Sequence, residues 1–180
     1  MPGGAHLTTT TSRRPGPGRS RGVGTLASLL LPLALLLAGC ADEPVTLSSP
    51  DVSAADLDTC DAFLDDLPNT FAGHEKRKVN PAAALGRAWG DPPIIVRCGV
   101  GVPPEFDQFS SCEVANGVGW FVPEDQFDDQ QADATLTAVG YRPVVSVTVP
   151  AKYRPEGPAA AIAELAQAVK DHLEKVDDCV

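Results

Sequence analysis

From Cys40 onward this 180-residue chain carries no nucleophile elbow, metalloprotease helix, Walker loop or dinucleotide-binding fingerprint. Those absences exclude the enzyme classes whose chemistry depends on such local geometry. No C-x-x-C pair occurs, which argues against a zinc ribbon or a thioredoxin-type redox centre. His74 and His172 are isolated after the leader, so metal-ligand spacing is absent and neither a metal nor a cofactor is expected. No apolar run reaches the ~20 residues of a spanning helix. The longest, Leu26 to Leu37, is interrupted by Ser28 and Pro32. No internal repeat is visible.

What the chain does have begins with Arg13, Arg14, Arg19 and Arg21, unaccompanied by acid, followed by that apolar run and Leu37-Ala38-Gly39-Cys40. Charged n-region, short h-region and small residues before a cleavage point are the marks of a secretory signal peptide. Cys40 turns the site into a lipobox, because a thiol is the nucleophile that accepts a diacylglycerol group. Pro15, Gly16 and Pro17 follow Arg13-Arg14 where twin-arginine export would want other residues, so the general secretory route is expected. Residues 1–39 are read as the leader, residues 40–50 as a lipidated tether and residues 51–180 as one domain. The expected location is the outer face of the cytoplasmic membrane, held through Cys40 by the two or three acyl chains that stable anchoring needs.

Removing residues 1–39 takes four arginines and no acid, leaving 24 acidic against 10 basic residues, a net charge of −14. Such a polyanion repels phosphate, so nucleic acid is not an expected partner. An envelope protein or wall polymer is. The basic run Lys76, Arg77 and Lys78 stands out against that background, either as a docking point for anionic polymers or headgroups or as an exposed loop.

Patterning after the tether gives helix, strands, helix. Ser53 is placed to cap a helix over Ala54–Leu67, with Asp56 as a weak capping-box partner and Leu57, Cys60, Leu64 and Leu67 on its apolar stripe. Residues 69–88 read as irregular, with a short helical stretch around Ala82–Ala88. Ile94–Val100 is a β-branched strand, and Asn116-Gly117 closes a hairpin between Cys112–Ala115 and Val118–Val122. Thr135–Val139 and Val144–Val149 add two strands. A last helix opens at Gly157-Pro158 with a stripe of Ile162, Leu165, Val169, Leu173 and Val176 leading to Cys179. The expected fold is α+β, a two-layer sandwich of four or five mostly antiparallel strands covered on one face by both helices. With Cys40 lipidated, Cys60, Cys98, Cys112 and Cys179 form two disulfides. Two helices on one face would join Cys60 to Cys179, and sequential strands would join Cys98 to Cys112.

The block Ala88-Trp89-Gly90-Asp91-Pro92-Pro93 running into Arg97-Cys98-Gly99, the segment Val114 to Phe121, the Cys60 helix ending in Leu67-Pro68, and Gly140-Tyr141-Arg142-Pro143 together resemble DUF3515. That is an actinobacterial family of small secreted proteins and lipoproteins, a domain of unknown function. The resemblance covers nearly all of the chain after Cys40 and implies no activity.

Among candidate residues, Arg97 stands in an apolar strand and asks for a reason. Either it pairs with Asp91 while Trp89 and Trp120 serve the core, or Trp89, Asp91, Arg97 and Trp120 line a pocket in which a guanidinium grips an anion and the aromatics hold a ring or sugar. The glycines beside Trp120 permit close approach of something to that strand. The acidic stretch Glu124, Asp125, Asp128, Asp129 and Asp133 lacks the alternation of a calcium loop and reads as a solvated surface. Two functions remain open: a non-catalytic envelope lipoprotein, accessory or binding module, and an envelope hydrolase or transferase acting on wall or lipid substrates near Arg97 and Asp91.

Overall fold

Residues 43–156 and 158–179 are described by a computed structural model. The chain divides into two units, Met1–Cys40 and Ala41–Val180. The leader and Cys40 lie outside the described residues.

Residues 45–50 do not form a free tether. Strand β1 (Val45–Thr46) pairs in parallel with β4 (Val79–Asn80), Leu47 is buried, and the Ser49 hydroxyl accepts the Leu85 amide at 3.1 Å. A Cβ on Gly86 would stand 3.0 Å from Leu47, so that glycine makes room for the entering chain. Helix α1 (Ala54–Asp65) starts as expected, with Ser53 accepting the Asp56 amide at 3.1 Å and bonding its carboxylate at 2.8 Å. Its buried residues are Cys60, Phe63 and Leu64; Leu57, read from the stripe as apolar and inward, is exposed.

Residues 69–88 are largely extended instead of irregular. They supply β2 (Thr70–Phe71), β3 (His74–Arg77), β4 and the start of β5 (Gly86–Trp89), and no helix forms at 82–88. After β6 (Ile94–Cys98) come the hairpin strands β7 (Cys112–Ala115) and β8 (Val118–Phe121). Asn116 and Gly117 turn that hairpin with φ of 48° and 82°, the left-handed pair that matches strand twist. A short α2 (Glu124–Asp128) precedes β9 (Ala134–Ala138), β10 (Tyr141–Arg142) and β11 (Val145–Val149). A 3-10 segment, Ala151–Glu156, leads into α3 (Pro158–His172), and β12 (Glu174–Lys175) pairs back with β10.

The main sheet holds eight strands in the order β2-β3-β5-β6-β11-β9-β8-β7, each antiparallel to its neighbours. The α+β class stands, and the sheet is larger than the four or five strands expected. The added strands are two to four residues long, two of them charged or glycine-bearing, and carry little alternation to read. Helices α1 and α3 share one sheet face, where Phe63, Leu64, Ile162, Leu165 and Val169 join Ile94, Val96, Val147 and Trp120 in one core.

The disulfides are Cys60–Cys98 and Cys112–Cys179, with Cα separations of 5.5 and 5.6 Å. This corrects the expected pairing on both counts. β6 and β7 are successive in sequence among the long strands, yet β11, β9 and β8 lie between them, so Cys98 cannot meet Cys112. Cys98 instead points to the helix face and meets Cys60 of α1. Cys179 is not on the α3 stripe, because α3 ends at His172 and the chain turns through β12 towards the other side of the sheet. Val176 and Asp177 donate to the Gly140 carbonyl at 2.8 and 3.2 Å, and the tail then crosses Gly119, where a Cβ would overlap the Cys179 carbonyl. The close approach that Gly119 permits is that of the protein's own C-terminal segment at Cys179, while Gly117 faces open space.

Candidate functional site

The four residues Trp89, Asp91, Arg97 and Trp120 are not brought together. Strand alternation sends Trp89 and Trp120 to the helix face, where both are fully buried. Trp89 packs at a tilt against Phe71, ring centres 4.9 Å apart, and donates Nε1–H to the Pro68 carbonyl at 3.0 Å. Trp120 Nε1 has no partner among the described residues. Arg97 lies on the opposite face between Gly86 and Ser146, with no ion pair or side-chain hydrogen bond among the described residues. Asp91 sits at the β5–β6 turn, its carboxylate exposed and 4.0 Å from Arg77 instead. Neither the Arg97–Asp91 pair nor the aromatic pocket forms.

Arg97 contributes its aliphatic stem, whose Cγ would meet a Gly86 Cβ at 3.5 Å. Arg97→Ala should therefore change stability by no more than about 1 kcal/mol. A thermal melt of the oxidised domain checks this, and a loss above ~2 kcal/mol would reveal a partner.

Lys76 and Arg77 of the basic run belong to β3, and Lys78 links it to β4. Arg77 donates to the carbonyls of Gly90 and Glu43, both at 2.9 Å, which fastens the entering segment to the sheet. Lys76 lies 5.9 Å from the Trp89 ring centre, and burial together with the neighbouring Arg87 charge lowers its pKa. The acidic stretch is also partly structural: Asp129 accepts the Gln131 amide and Asp133 the Ala151 amide, at 2.8 and 2.9 Å. His172 faces Asp66 at 3.2 Å, linking the ends of α3 and α1.

The feature that sequence reasoning missed is Arg154. It is 5% exposed, and its Nε and Nη1 are buried without a partner, while Nη2 donates to the Phe127 carbonyl at 3.3 Å. No carboxylate among the described residues forms an ion pair with it. It lines a cavity of about 170 Å³ walled by Val122, Phe127, Ala134, Leu136 and Ile162. Pro158 and Ala159, the first residues of α3, lie in the same wall, and Glu113 and Gln130 complete the lining. The 3-10 segment carrying Arg154 is pinned at its start: Lys152 Nζ and the Tyr153 hydroxyl both donate to the Asp91 carbonyl, at 2.9 and 2.8 Å. Asp91 thus acts through its backbone, fixing the segment that presents Arg154. A wider recess of about 730 Å³ shares Glu113, Val122 and Phe127 with this cavity and adds Glu105, Glu124 and Asp125.

Nothing in Lys152-Tyr153-Arg154-Pro155 announces a buried charge. The neighbouring prolines hide any period, and the burial comes from α2 and β9, which are distant in sequence. The chemistry available is that of a fixed, desolvated cation at one end of an apolar hollow. The lining offers no hydroxyl or thiol nucleophile.

An antiparallel α+β domain with a two-disulfide frame and one such cavity is the class that fold and site define. The chain belongs to the DUF3515 family, described as a protein of unknown function, which matches residues 22–177. No curated protein and no solved structure matches it.

Proposed function

We propose that this protein is an envelope lipoprotein whose domain is a non-catalytic binding module, exported and then held on the outer face of the cytoplasmic membrane by Cys40. The observation that carries the reading is the lipobox at Leu37–Cys40 standing directly before a domain closed by two disulfides. Disulfides persist in oxidising compartments, which agrees with export. The packing of Val45 and Leu47 sharpens it. Only residues 41–44 separate the lipidated cysteine from the first strand, a reach of about 14 Å at ~3.5 Å per residue. The domain accordingly rides against the bilayer, where an envelope protein or wall polymer is in reach. A fixed cation in a largely apolar hollow without a hydroxyl or thiol nucleophile favours binding over hydrolysis or transfer.

Cys40→Ala is expected to move the protein from the detergent phase to the aqueous phase, as retained precursor or soluble export, since the acyl chains are the strong hydrophobic anchor. Detergent partitioning with intact-mass measurement reads the result. Membrane retention of the variant, or an unmodified Cys40 in the native protein, contradicts the reading.

A further inference from the structure

A guanidinium stays charged at every pH a folded protein meets, so Arg154 cannot escape burial by losing its proton. Its Nε and Nη1 are shielded from water and from every protein acceptor among the described residues. A desolvated cation with open donors is costly to keep, and an oxyanion is what satisfies it. The first turn of α3 stands in the same wall, adding the positive end of a fifteen-residue helix. Apart from Glu113 and Gln130, the rest of the wall is apolar. Its volume of about 170 Å³ is close to the ~150 Å³ of an engineered apolar cavity that takes up benzene. Glu113, exposed on β7 at the lining, opposes a second negative charge, as does the chain's overall acidity. That selects a single charge over a phosphate dianion.

We infer that the Arg154 cavity binds a monocarboxylate carrying an apolar group of about six carbons, the carboxylate meeting Arg154 and the α3 N-terminus and the carbon body filling the space between Phe127, Leu136 and Ile162. This rests on the binding-module reading and names that module's ligand class. A free acid and the acid end of a larger envelope molecule share this chemistry.

The test uses the oxidised domain, residues 41–180, titrated with hexanoate, acetate, hexanol and inorganic phosphate and followed by calorimetry and amide NMR. The chain from Ala41 is a self-contained unit with both disulfides inside it. Hexanoate should bind at least tenfold more tightly than acetate, which lacks the apolar body, and than hexanol, which lacks the charge. The Arg154 Nε–H signal and the Ala159 and Ile162 amides should shift on addition. Arg154→Met should lose at least tenfold in hexanoate affinity, and Arg154→Lys should recover only part of it. 6-Acetamidohexanoate, which keeps the carboxylate on the six-carbon chain and extends the far end through an amide, binding as well as hexanoate would point to the larger source; binding of hexanoate alone would point to the free acid. Phosphate binding more tightly than hexanoate, binding unaffected by Arg154→Met, or shifts confined to other residues would each overturn the site. If Arg154→Met does not fold, the wild-type Nε–H shift still decides. Failure here leaves the Cys40 anchor standing, because detergent partitioning tests that separately.

Discussion

Alanine at both Cys60 and Cys98 is expected to lower stability by about 4 kcal/mol and the melting temperature by roughly 15 °C. The crosslink spans 38 residues, and removing it restores the chain entropy of that loop to the unfolded state. It also ties α1 to the centre of the sheet, with both cysteines fully buried, so two small voids add to the loss. Calorimetry of the oxidised double variant beside the native domain gives the number. A midpoint within a few degrees of native would mean that this pair does not form. Non-reducing peptide mapping must return Cys60–Cys98 and Cys112–Cys179, and either alternative pairing would overturn the sheet order as well.

A comparable loss is expected from Gly119→Val. The Cys179 backbone occupies the space of a Gly119 side chain, and the tail cannot slide aside, being fixed by β10–β12 pairing and the bonds to Gly140. A chain that cannot seat its tail there leaves Cys112 and Cys179 unpaired when the protein oxidises, and so lacks a crosslink that spans 67 residues and contributes about 4 kcal/mol. Thiol labelling of the folded protein should find two free cysteines in Gly119→Val and none in the native chain. Gly117→Ala serves as control: at φ 82° with open space around it, it should cost about 1 kcal/mol and leave both disulfides closed. Gly119→Val with native stability and no free thiol would remove the tail from this face.

How much of this was legible in the sequence follows the physics of each element. The α1 cap, the Asn116-Gly117 turn and the β-branched strands are local, so Ser53, the hairpin and β6, β9 and β11 stand close to where propensity and alternation place them. The strands β2, β3 and β5 are short or highly charged, and they form because neighbouring edges complete their hydrogen bonds, which no local pattern records. The disulfide pairing failed for a similar reason: it depends on strand order, and β11 inserts beside β6 from fifty residues away. Arg97 drew attention because it interrupts an apolar strand, yet alternation alone puts it on the face away from both tryptophans. Arg154 drew none, since its burial depends on α2, β9 and α3 closing around a proline-flanked segment.

A crystal structure of the oxidised domain grown with hexanoate tests the Arg154 ligand assignment most directly. A carboxylate oxygen is expected within ~3.2 Å of an Arg154 guanidinium nitrogen, with the carbon chain lying between Phe127 and Ile162. An empty cavity under saturating hexanoate, or a protein carboxylate already closed onto Arg154, would contradict it.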